Sequence, residues 1–252
     1  MLTATALRAT EILAALALME GSLELLAMRR VFADDGIWRW ASLAPELGRL
    51  RGVLAYRPFV ALLAFRLALA VLLLAGVRGA VAPALWLSTL LVNVRFRGTF
   101  NGGSDLMAMV VLTALVVAHL GSGSPMLVNG ALLYVAAQAM LSYFVAGVAK
   151  LTNADWRRGH ALPAFVARPD VAAPAAVRRL LDGRGRRAAV SWSVVLFECT
   201  FPLAFSGVRP AWLFVAGALV FHLGTVVVFG LNRFLLAWAA TWPAIVYVAR
   251  LL

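Results

Sequence analysis

The sequence predicts an all-α fold: a polytopic integral membrane bundle of seven or eight transmembrane helices, forming one domain over residues 1–252. Three observations predict it. Hydrophobic residues make up 63% of the chain and charged residues 13%, more apolar and less charged than a soluble domain. Apolar runs of membrane-crossing length recur along the chain. The basic residues gather between those runs rather than within them.

The first segment, Ala6–Met28, reads as a helix but is polar for a span, because Glu11, Glu20 and Glu24 interrupt it. Arg8 precedes an apolar stretch, yet no small-residue cleavage site follows, so the segment reads as part of the mature chain. Glu20 and Glu24 are four apart and share a face. The helix either spans with that face inward or lies at the interface. A loop from Arg29 to Arg57 follows, in which Trp38 and Trp40 flank Arg39 in a pattern suited to a surface helix.

Spans are then predicted at Phe59–Val77, Ala80–Val94, Leu106–Leu120, Met126–Ala149, Ala188–Phe205, Ala211–Phe229 and Phe234–Leu252. The second and third of these are short. The loop from Lys150 to Arg187 carries Pro163, Pro169 and Pro174, and its stretch Val171–Leu181 predicts a short amphipathic helix on the membrane surface.

Charge placement predicts orientation. One side carries the arginines of the Arg29–Arg57 loop, then Arg95 and Arg97, then Lys150 and the arginines up to Arg187, and finally Arg233. The other side has only Arg78, Arg209 and Arg250, joined by Arg8 if the first helix spans. The richer side is expected in the cytoplasm. This placement accounts for the net charge of +12 and excludes a nucleic-acid partner.

Polar residues inside apolar helices are costly and therefore informative. Arg66 lies within a span, with Glu20, Glu24 or Glu198 as expected partners. Asn93, Gln138 and Ser142 suit interhelical hydrogen bonds. His222 stands alone in an apolar helix, while His119 ends a helix and His160 lies in a loop. No two histidines have ligand spacing, so no metal site is predicted. The single cysteine, Cys199, excludes an internal disulfide.

Two segments carry possible chemistry. The run Tyr143-Phe144-Val145-Ala146-Gly147-Val148-Ala149-Lys150-Leu151 is apolar and contains the only lysine among 23 basic residues. A lysine there is either a snorkelling anchor or an amine that can lose its proton, as arginine cannot. Tyr143 lies seven residues before Lys150 and shares its helix face. The second segment, Asn101-Gly102-Gly103-Ser104-Asp105, is a turn with Ser104 or Asp105 as N-cap. Its glycines and the helix N-terminus also suit the approach of a negatively charged ligand.

The lysine segment, continuing Thr152-Asn153-Ala154-Asp155-Trp156 to Gly159, resembles the signature of the vitamin K-dependent γ-glutamyl carboxylases. It also resembles their bacterial relatives, the horizontally transferred transmembrane (HTTM) domain proteins. Phe221-His222 with Phe229 and Phe234, the Asn101–Asp105 turn, and Leu196-Phe197-Glu198 are shorter matches. The resemblance covers roughly residues 55 to 250. Two departures stand out: Gly102 replaces the histidine that follows the turn asparagine in the carboxylases, and the chain ends at Leu252 without their large lumenal domain.

The resemblance implies a multi-pass protein of a bacterial plasma membrane. It implies catalytic roles for Lys150, as the base that deprotonates a quinol, and for His222. It implies substrate contacts from Asn101, Gly102, Gly103, Asp105, Tyr143 and Glu198. The implied cofactors are a reduced, vitamin K-like quinone and molecular oxygen, in an oxygenase, epoxidase or carboxylase-like reaction. Two other readings stand beside it: a membrane maturation factor acting on a secreted peptide, and a non-catalytic binding or transport protein.

Overall fold

The computed structural model describes residues 2–98, 102–169 and 171–252. The chain is an all-α polytopic helical bundle, with no strand among the described residues. Among the described residues, six helices are long and apolar enough to cross a membrane: Tyr56–Leu74, Gly102–Leu120, Pro125–Thr152, Arg184–Ser206, Val208–Phe229 and Asn232–Leu251. Lipid contact therefore covers much of the surface, and single leucines and valines such as Leu213 and Val220 stand exposed at 73% and 72%. Two compact units divide the fold, Thr3–Ala131 and Leu132–Leu252.

In the N-terminal unit, α1 (Thr3–Ala27) packs along α4 (Tyr56–Leu74) and α6 (Gly102–Leu120). Small residues on one face of α1, among them Ala6, Ala14, Ala15 and Ser22, are buried and let the helices approach closely. The helix is thus a member of the bundle and does not lie apart from it. Its fully buried acid is Glu11, rather than the expected Glu20 and Glu24 pair, which are half-buried. Glu11 accepts from Arg8 at 2.9 Å, Arg78 at 3.1 Å and His119 at 2.9 Å. Arg8 also donates to the carbonyls of Leu73, which the Gly76 N–H shares at 3.0 Å, and Leu74 at the end of α4.

Short helical turns fill the Arg29–Arg57 loop, including α2 (Ala44–Leu47) and α3 (Arg51–Leu54). Phe32, Trp40, Leu54 and Phe59 bury themselves together there, which anchors the loop to α4. Helix α5 (Val81–Arg95) joins α4 to α6. It spans only 15 residues, roughly 22 Å of helix against a hydrocarbon core near 30 Å. That shortfall, and the charges in α1, separate the six long apolar helices from the seven or eight expected.

Helix α7 (Pro125–Thr152) carries the chain into the C-terminal unit. There α8 (Ala154–Arg157), α9 (Ala161–Val166) and α10 (Ala175–Leu181) form a short-helix layer. The predicted amphipathic stretch is α10, shortened by Pro174, with Leu181 buried against Val166 and Ala173. Helices α11 (Arg184–Thr200) and α12 (Val208–Phe229) follow, and a 3-10 turn extends α11 to Ser206. The last predicted span breaks into α13 (Asn232–Ala239) and α14 (Trp242–Leu251). Pro243 lacks the N–H that would bond the Ala239 carbonyl, so the first helix stops there and a new one starts with the proline in its first turn.

Candidate functional site

Helices α7 and α11 cross tightly at Gly147. A side chain there would place its Cβ 2.6 Å from the Cys199 nitrogen and 2.8 Å from the Glu198 carbonyl carbon, so only glycine fits. On one side of this crossing, Lys150 Nζ donates to Glu198 Oε1 at 2.9 Å and Oε2 at 2.6 Å. The Glu198 side chain is 4% exposed and that of Lys150 21% exposed. On the other side, Tyr143 stacks on Phe201 at 4.0 Å.

The residues after Lys150 build its surroundings. Asn153 caps α8, its Oδ1 accepting from the backbone of Asp155 at 2.8 Å. The cap turns the chain so that the Trp156 ring lies 5.3 Å from Lys150 Nζ, a cation–π contact. Ser191 donates to the Trp156 carbonyl, and Trp192 Nε1 donates to the Arg157 carbonyl at 3.1 Å. Gly159, at φ +73°, closes the loop against Ala188, where a Cβ would meet a backbone nitrogen at 2.8 Å. The segment Lys150–Gly159 is thus a clamp that fixes the lysine against α11.

Tyr143 and His222 form the second polar pair. The Tyr143 hydroxyl lies 2.7 Å from His222 Nε2, and both residues are buried. Trp238 stacks on His222 at 5.4 Å and tilts onto Tyr143 at 4.6 Å. Phe197 and Phe221 complete the box, against Tyr143 and His222 respectively. His222 Nδ1 is buried with no hydrogen-bond partner among the described residues. A buried polar atom left open is costly and suits a ligand that can pair with it.

Phe197 and Phe221 are also a wall of an apolar groove of about 750 Å³ between α11 and α12, closed at one end by α9 and α10. Gly217 and Gly224 lie on its α12 face, and beyond Gly224 a side chain would meet open space. The groove is the size of a small-molecule site and almost wholly apolar in lining.

The expected site residues therefore fall into three places. Lys150 joins Glu198, and Tyr143 joins His222, all within the C-terminal unit. Gly102, Gly103 and Asp105 open α6 in the N-terminal unit, with Asp105 buried. Asn101 lies outside the described residues. The lysine, read from the sequence as a snorkelling anchor or an amine that can lose its proton, rests in an ion pair. Glu198, expected as a partner of Arg66 or a substrate contact, is its counter-ion. A lone acid in an apolar span needs a cation, and a lone lysine needs an anion, which is the signal that would have joined them. Phe201 and Trp238 were missed, since nothing in their spacing marks them as neighbours of Tyr143; Trp156 was quoted within the lysine segment but without a role. Groups of three or more metal-ligating side chains are absent among the described residues.

No family model matches the chain, and no curated protein or solved structure matches it.

Proposed function

We propose that this chain is an HTTM-like membrane enzyme that deprotonates a lipophilic quinol for reaction with oxygen, as an oxygenase or epoxidase resembling the vitamin K-dependent carboxylases. The observation that carries the proposal is the Lys150–Glu198 pair, clamped between Gly147 and Trp156. A reduced quinone supplies electrons for oxygen when bound. The apolar groove fits the hydrocarbon tail of such a molecule, while His222 is fully buried and is not one of the groove's lining residues.

The pair offers a way to make a base. In contact with water, Lys150 is an ammonium and Glu198 a carboxylate. Expelling water raises the cost of keeping two charges. The proton then passes from Nζ to Glu198, leaving a neutral amine that accepts the next proton. Tyr143 fixes the His222 ring through the 2.7 Å contact at Nε2. We place the basic loops, including Arg178, Arg179 and Arg184–Arg187, on the cytoplasmic face of a bacterial plasma membrane.

The test is oxygen uptake by membranes given a reduced quinone. Wild type should consume oxygen only with the quinol present. Gly224→Leu, which fills the groove, should raise the quinol KM and leave kcat near wild type. Lys150→Arg should remove the activity at unchanged protein level, because guanidinium keeps its proton. Uptake indifferent to the quinol would refute the proposal. A second reading, a non-catalytic lipophile-binding protein, is favoured by the way both carboxylate oxygens of Glu198 already engage Lys150. It predicts quinone binding without oxygen uptake.

A further inference from the structure

The N-terminal unit contains a cavity of about 330 Å³ whose base is the last residue of α5. That residue, Arg95, is 2% exposed. Its Nη2 donates to the Trp38 carbonyl at 2.9 Å, while Nε and Nη1 are buried with no hydrogen-bond partner among the described residues. The guanidinium lies 4.7 Å from the Phe59 ring and 5.4 Å from the Phe32 ring. Those rings offset part of the cost of burying the charge, but they do not replace hydrogen-bond acceptors. Arginine carries five N–H donors in a fixed fork, and this one uses a single carbonyl.

The rim adds a second guanidinium. Arg97 adopts a left-handed backbone with φ 56°, the only non-glycine residue to do so among those described. That conformation is costly, so the contacts it enables must hold it. Its side chain reaches the Ser42 carbonyl at 3.0 Å and Glu46 at 2.8 Å. Arg97 and Glu46 are 50% and 58% exposed, so the bridge is screened and open to competition. The walls, Ile37, Trp38, Leu43 and Phe96, are apolar. Arg95 and Arg97 both line the cavity, and Glu46, the partner of Arg97, does not.

We propose that this cavity binds the phosphate group of an anionic amphiphile, with Arg95 as its buried anchor and Arg97 as its rim contact. A phosphate offers several oxygens to two forks, which is the recognition that arginine serves best. The apolar walls take the carbon adjoining the phosphate. A lipid headgroup and a soluble phosphate ester share this chemistry. The site is independent of Lys150 and of the reaction proposed for it.

The experiment is thermal unfolding of the full-length protein in neutral detergent, titrated with phosphatidylglycerol, phosphatidylcholine or inorganic phosphate. Saturable stabilisation by phosphatidylglycerol and none by phosphatidylcholine is expected. Arg97→Ala should weaken the apparent affinity about tenfold, the loss of one charge-assisted contact. Glu46→Gln removes the competing carboxylate and should strengthen it several-fold. Arg95→Gln should abolish it, but a buried substitution tests folding as well as binding, so the two rim variants decide. Stabilisation by phosphatidylglycerol but not by inorganic phosphate supports the site and assigns a lipid. Stabilisation by inorganic phosphate alone also supports it and assigns a soluble ligand. Equal effects of the two lipids without a phosphate effect, or titrations that neither rim variant shifts, would overturn it.

Discussion

Replacing Gly147 with alanine puts a methyl group 2.6 Å from the Cys199 nitrogen and 2.8 Å from the Glu198 carbonyl carbon. Both obstacles are backbone, so no side-chain rotation relieves them. Ordinary contact needs α11 to retreat by nearly an ångström. Overpacking of this kind costs about 1–3 kcal/mol. Alanine recovers about 1 kcal/mol through its better helix propensity. The net expectation is a loss of up to about 2 kcal/mol. The same retreat draws Glu198 away from Lys150, whose shorter contact is 2.6 Å. Gly130→Ala is the matched control, because it lies in the same helix with nothing within 4 Å of the added Cβ. It should be neutral or stabilising. The assay is thermal unfolding of both variants in detergent, with the rate of amine-reactive labelling of Lys150 read alongside. Equal stability and equal labelling in the two variants would refute the idea that this crossing holds the pair.

Other outcomes follow from the same geometry. Glu198→Gln should speed Lys150 labelling, visible because Lys150 is the only lysine, and should destabilise the chain by about 3 kcal/mol, the low end for a broken buried pair. Tyr143→Phe leaves His222 Nε2 without its partner and should cost about 1–3 kcal/mol in unfolding experiments; His222→Phe in the same background should add little. Cysteines at Arg184 and Arg209, in a Cys199→Ala background, should react with impermeant reagents from opposite membrane faces, since α11 and its 3-10 extension lie between them.

The helical, membrane-embedded class was legible because apolar length is a strong signal that survives any packing arrangement. The Lys150–Gly159 segment was legible as special, but its logic was not. A sequence names the lysine; only the fold shows that Asn153 turns Trp156 onto it and that Gly159 locks the turn to Ala188. Glu11 illustrates the opposite error. It read as an interruption of an apolar run, while Glu20 and Glu24 drew attention by their spacing. Burial of Glu11 depends on Arg78 and His119, more than sixty residues away, and no local pattern encodes that meeting. The break at Ala240 and Thr241 was written in Pro243, yet the surrounding apolar run concealed it. Arg95 looked like one more cytoplasmic charge, because exposure and burial of a helix-end arginine give the same sequence.

The central claim is that the Lys150 amine takes a proton in the reaction. Its most direct measurement is quinol-dependent oxygen uptake by Lys150→Ala membranes, with small primary amines added at matched protein level. The cavity left by the side chain admits an amine beside Glu198, which can then hold and release the proton in place of Nζ. Little uptake is expected without amine, partial recovery with it, and no recovery of Lys150→Arg, whose guanidinium fills the space and keeps its charge. Full uptake in Lys150→Arg, or in Lys150→Ala without any amine, would contradict it.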